Sequence, residues 1–223
     1  MQCIPTFLQM MKHSYTIRDY CMIRNHQVIQ GGKLLFEGKD RSAASFFNEI
    51  YRHFGVNYPK FHKMDNLCKL GFLAAELLMK DKDLQHSYPS DSVGIILYNA
   101  SSSLDTDRNH QNSISDRSAY YPSPSVFVYT LANIVIGEIC IRHKLYGEST
   151  FFVEENFNTE RLHAYVKQLL DDRIVECCIT GWVELDSESY EGVLYLIEKP
   201  TSGTDGIVIF EPEKLTEIYR GKG

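Results

Sequence analysis

Residues 126–142 constrain the fold more than any other part of the chain. The run reads Val-Phe-Val-Tyr-Thr-Leu-Ala-Asn-Ile-Val-Ile-Gly-Glu-Ile-Cys-Ile-Arg, with Glu138 as its one charge before Arg142. A segment so apolar has to be covered, and its length predicts one buried helix. Residues 144–147 read as its stop, with Gly147 suited to the left-handed position past the end. Residues 150–153, Thr-Phe-Phe-Val, then read as a short apolar strand. Glu154, Glu155 and Asn156 follow where that strand turns into the next helix, which Asn158 or Thr159 can cap. In α/β folds such a turn often holds a nucleophile, because it lifts a side chain above the sheet edge.

The rest of the chain supplies the sheet and its cover. Residues 15–23 are rich in β-formers, and residues 26–36 read as a second arm with Gly31-Gly32 at the turn. Asp40 can cap a helix over residues 41–54, and residues 64–80 carry the next helical stripe. Residues 93–98 are a continuous apolar run, as expected of a central parallel strand covered on both faces. Residues 99–121 form the polar part of the chain. They follow the carboxyl end of that strand, where α/β sheets bind ligands, so Ser101, Ser102 and Ser103 are binding candidates; a long, partly helical connection is the plainer reading. A helix to Asp172, strands over residues 174–185 and 192–198 joined by an acidic turn, a loop over residues 200–206, a short strand over 207–210 and a last helix over 213–219 complete the chain. Elements alternating in this way predict an α/β fold with parallel central strands.

The opening stretch resembles the β-ketoacyl-ACP synthases of the thiolase fold. In that family a helix with an Asn-x-x-x-Gly core leads through a glycine to a strand and then to the active-site cysteine. Asn133 and Gly137 match the core, and Gly147 matches the later glycine. Nine residues beyond Gly147, as the family counts, stands Asn156, so an amide occupies the nucleophile's place. The family's glycine three residues further on is Thr159 here. The resemblance covers roughly residues 63–200. It implies one thiolase-like domain over residues 1–223: one βα half with a mixed five-stranded sheet and covering helices, residues 1–13 being a dispensable tail. It is similar to the chain-length-factor subunits, which also carry an amide there. The family's condensation uses a thiolate and two histidine donors from a second half, and this chain holds one half. The resemblance therefore implies a subunit that is inactive alone. It would work with a ketosynthase or an acyl carrier protein in fatty-acid or polyketide-type synthesis, of aryl-polyene or flexirubin-like kind, with Asn156 and Asn133 as binding residues.

Other chemistry is weaker. An amide nitrogen has no available lone pair, so Asn156 can hydrogen-bond a carbonyl but cannot attack one. Cys140 lies on an apolar helical run, where a buried structural thiol is the simpler reading. Glu138 reads as an exposed helix-end acid or as a buried functional one. Glu154 and Glu155 are adjacent, so they point to opposite faces. His110 and His143 have no acidic or cysteine partner at triad or metal spacing, and Gly31-Gly32 and residues 203–206 lack the setting of a phosphate loop. No cofactor or metal is expected. A hydrolase or acyltransferase using a serine of residues 101–107 or Cys140 is a second reading, and a homodimer that binds an acyl ligand without turnover a third.

Composition trims the classes. A net charge of -6 and a pI near 5.8 argue against general nucleic-acid binding. An acidic carrier would need a local basic patch, such as Lys60, Lys63 and Lys69, for which a solvated face is the plainer reading. The six cysteines, Cys3, Cys21, Cys68, Cys140, Cys177 and Cys178, include no C-x-x-C, which fits free thiols in a reducing cytoplasm. Residues 4–11 are too short to span a bilayer, so no membrane role is expected.

Overall fold

The computed structural model describes residues 15–39, 42–116, 118, 122–200 and 208–221. The readings on Cys3, residues 1–13, Asp40 and residues 200–206 fall wholly or mostly outside these. One mixed sheet holds the molecule together. Its strands are β1 (Thr16–Arg24), β2 (Gln27–Gln30), β3 (Lys33–Glu37), β4 (Val93–Asn99), β5 (Ser149–Val153), β6 (Cys177–Asp186), β7 (Ser189–Glu198) and β8 (Val208–Ile209). The order is β3-β2-β1-β7-β6-β4-β5, with β8 beside β1. Thus eight strands stand where five were expected: β5-β4-β6-β7-β1 form the covered centre, and β2, β3 and β8 extend it at β1.

β4 is buried along its whole length and runs parallel to β5 on one side and β6 on the other. That double parallel setting requires cover on both faces, and two apolar cores supply it. One face packs on α1 (Ala43–His53), α2 (Asn66–Met79) and, beyond the short helices α3 (Leu84–Ser87), α4 (Leu104–Ile114) and α5 (Pro124–Val128), on α6 (Ile134–His143). The other face packs on α7 (Thr159–Asp171) and α8 (Pro212–Tyr219), around Trp182, Tyr195 and Phe210. Side-chain caps start the helices. Ser42 caps α1, Asp65 caps α2 through the Cys68 amide, and Asn158 caps α7 through the Arg161 amide at 3.1 Å.

The uncharged run is two helices, not one. α5 ends at Val128, and Thr130 turns its hydroxyl onto the Phe127 carbonyl at 2.7 Å. The Thr130 carbonyl is taken in turn by the buried Ser103 hydroxyl at 2.8 Å. These side-chain bonds replace the helical ladder until Asn133 begins α6. The stop also differs. Lys144, not Gly147, takes the left-handed conformation, at φ 52°. Gly147 is required for a different reason: a Cβ there would sit 2.4 Å from the Val93 carbonyl oxygen of β4. Gly31 and Gly32 do adopt positive φ at the β2–β3 turn. The acidic turn after β6 shrinks to Ser187 and Glu188, with Ser187 at φ 58°, and the flanking acids join the strands.

Candidate functional site

Three strand ends converge at the carboxyl edge of β4, β5 and β6. β4 ends on Asn99, which is fully buried. Its side chain accepts from the Ser102 amide at 3.0 Å and donates to the Ser102 carbonyl at 2.8 Å. That clamp holds Ser102 at φ 52°. Glu184, at the end of β6, accepts from the amides of Ala100 at 2.6 Å and Ser101 at 3.2 Å. The two N–H groups that could have met an anionic ligand already hold a carboxylate. Ser103 is buried, with its hydroxyl on Thr130 and Asp107. Ser101 and Ser102 thus brace the loop through their backbone groups, and Ser103 through its hydroxyl.

After β5 the chain enters the turn to α7. Glu154 is half-buried and paired with Arg161 at 2.7 Å, while Glu155 is exposed, as adjacent residues on opposite faces should be. Phe157 anchors the turn against Trp182, Tyr195 and Tyr219, with ring centroids 5.7, 6.4 and 4.8 Å away. Asn156 lies at the outward tip, exposed, beside an open cleft of about 460 Å³ lined by residues 154–159. It makes no side-chain hydrogen bond among the described residues. Asn133 is exposed at the start of α6 without capping through its side chain. No hydrogen bond joins it to Asn156.

The described cysteines are inert. Burial pushes the thiols of Cys21, Cys68, Cys140, Cys177 and Cys178 above their ordinary range, so each is a neutral thiol at neutral pH. Cys140 is half-buried and packs against the core below α6.

Three polar groupings escape sequence reading, because residues distant in the chain build them. Glu138 is buried rather than an exposed helix end. Its Oε1 meets Lys60 at 2.8 Å and the Tyr129 hydroxyl at 3.1 Å, while Oε2 has no partner among the described residues. Of the lysines of the suggested basic patch, Lys60 is exposed but ion-paired with Glu138, and Lys69 lies over the Phe61 ring. His143 does have an acidic partner, Glu76 of α2, at 3.0 Å, and Arg142 grips the same carboxylate with two bonds of 3.1 and 2.7 Å. Burial pushes the Glu76 carboxyl up, but His143 and Arg142 outweigh it and hold it at about 2. This grouping ties α2 to α6. Glu184 is the third. Among the described residues no three His, Cys, Asp or Glu side chains are placed to hold a metal, and no helix is long and apolar enough to cross a membrane.

The comparisons with known proteins then place the fold. No family model matches the sequence, and no curated protein does. Solved structures do. The ishigamide ketosynthase/chain length factor superposes with a TM-score of 0.61 at 15% identity, over 87% of this chain and 64% of that one. A type II PKS ketosynthase in complex with its acyl-carrier protein, AntDE:AntF, gives 0.61 at 11% identity, over 84% and 62%. The ketosynthase ApeO in complex with its chain length factor ApeC, from Xenorhabdus doucetiae, gives 0.54 at 12% identity, over 94% and 92%. The chain thus has the mixed α/β fold of ketosynthase and chain-length-factor proteins. It spans less than two thirds of the length of the first two.

Proposed function

We propose that this chain is a catalytically silent, ketosynthase-like subunit of the chain-length-factor kind. It acts with a ketosynthase and an acyl carrier protein in fatty-acid or polyketide-type synthesis, of aryl-polyene or flexirubin-like kind, in the cytoplasm. The observation that carries this reading is Asn156. In a fold shared with ketosynthases, the turn after β5 presents an amide, and every described thiol lies elsewhere, wholly or partly buried, and neutral. A condensation needs a thiolate to take the acyl group and donors for the oxyanion. Asn156 can only orient a carbonyl. Asn133 and the braced loop of Ser101, Ser102 and Ser103 complete the proposed acyl-binding surface.

The surface supports an obligatory partner. Leu104, Phe127, Val128, Leu131, Ile141, Tyr146 and Val153 are exposed, and all lie between α4 and the end of β5. Exposed apolar residues that gather into one patch mark interaction surfaces, and this part of the chain holds more of them than the rest of the described residues. β5 is also an open edge, a hazard that a partner strand removes. A hydrolase or acyltransferase reading has less support, since the Ser103 hydroxyl is occupied and burial keeps the Cys140 thiol protonated.

The test is co-purification with a cognate ketosynthase and carrier, followed by carbon dioxide release from malonyl-carrier. The expected result is a stable complex that turns over, and no release by this chain alone. Release by the lone chain at a normal synthase rate would overturn the proposal.

A further inference from the structure

α2 is buried along most of its length, yet it carries two charged side chains, Lys69 and Glu76. Glu76 has Arg142 and His143 as partners. Lys69 is half-buried and makes no side-chain hydrogen bond or ion pair among the described residues. Its Nζ lies 5.9 Å from the centre of the Phe61 ring, which is wholly buried and stacked on Tyr51 at 4.5 Å. Every other described lysine is either exposed, like Lys80 and Lys144, or ion-paired, like Lys82 with Asp19 and Lys167 with Asp171.

A buried ammonium without a counter-ion loses hydration and gains no partner, which favours the free amine. The neighbouring segments do not supply the missing charge. The turn that carries Phe61, Pro59–Lys63, holds Lys60, His62 and Lys63 and no acid. Asp65 stands one turn back from Lys69, but its carboxylate already accepts from the Cys68 amide and the Thr106 hydroxyl. Burial therefore pulls the Lys69 pKa below the ordinary lysine value, and Asp65 opposes it only in part. The face of a ring attracts an ammonium and works against the free amine. Lys80 is exposed and lies 5.8 Å from the Phe54 ring, so it has the same contact without the burial.

We propose that Lys69 is a nucleophilic amine and a site at which acyl thioesters modify this chain. A partly desolvated lysine attacks carbonyl carbon. Schiff-base formation would need a proton donor to expel water, and Asp65 is already engaged. An electrophile that brings its own leaving group needs no such donor, and a neutral thioester suits the aromatic wall. The Nζ lone pair attacks the thioester carbonyl carbon. The C–N bond forms as the C–S bond breaks, and the departing thiolate takes the proton that the nitrogen sheds. An amide and a free thiol result. The step needs neither Asn156 nor a partner subunit.

The purified chain is incubated near neutral pH with the acetyl thioester of N-acetylcysteamine, at low conversion, and chymotryptic peptides are read by mass spectrometry. Lys69 is expected to be acetylated about three- to tenfold faster than Lys80 or Lys144. Across a pH series its rate should rise at lower pH than theirs, because a lowered pKa frees the amine earlier. Lys69→Arg keeps the charge, abolishes labelling at that position and should leave the rates at Lys80 and Lys144 unchanged. Circular dichroism checks that each sample is folded. Labelling of Lys69 no faster than of Lys80 in the folded protein overturns the site. A Lys69 rate that rises over the same pH range as theirs overturns it as well, since burial would then not be the cause.

Discussion

At the scale of single residues, one amide and one buried carboxylate decide most. Asn156→Cys is expected not to restore condensation in the isolated chain, since the donors for the oxyanion are not rebuilt with the thiol. Carbon dioxide release from malonyl-carrier checks it, and any turnover above the wild-type background refutes it. Glu138 gives a stability prediction. Its partners are Lys60 and Tyr129, so Lys60→Met leaves a buried carboxylate with a single hydrogen bond. The expected cost is about 1–3 kcal/mol in urea unfolding. Adding Glu138→Gln recovers most of it. The sequence makes Asn156 legible, because a count from Gly147 lands on it. It does not make Glu138 legible, because Lys60 and Tyr129 reach that carboxylate from other elements.

At the scale of elements, α6 and α2 act as one unit. Burial raises the Glu76 carboxyl, but His143 and Arg142 outweigh it, and its folded pKa falls from 4.5 to about 2. A depressed pKa contributes stability that is complete above the unfolded value and lost as pH falls through the folded one. Stability should therefore drop between about pH 4.5 and about pH 2, and Glu76→Gln should flatten that limb of an acid-unfolding curve. Gly137 gives a second prediction. It sits mid-helix in α6, and a Cβ added there meets nothing within 4 Å. Glycine in a helix interior is costly, so Gly137→Ala should stabilise the isolated chain by about 0.5–1 kcal/mol in thermal melts. The strands and α7 are legible because period and caps agree. The break between α5 and α6 is not, since it depends on Ser103, some way back in the chain, taking the Thr130 carbonyl. The role of Gly147 is hidden likewise, because only the approach of Val93 demands a glycine there.

At the scale of the whole molecule, the two apolar cores share one sheet, so neither face is stable without it. That sheet closes late. β1 pairs with β7, Thr16 opposite Glu198, and β4 gains its β6 neighbour only through Cys177 and beyond. Contacts so far apart in the chain make folding slow. During synthesis, therefore, β1 leaves the ribosome long before β7 exists, and β4 before β6. The nascent chain must carry two strands paired along one edge only, β1 with β2 and β4 with β5, until the β6–β7 hairpin emerges. Ribosome-stalled chains ending before Ser189 should be cut rapidly by protease, and those extending past β7 should resist. The hairpin that closes the sheet is thus also the moment at which the nascent chain stops needing protection from chaperones.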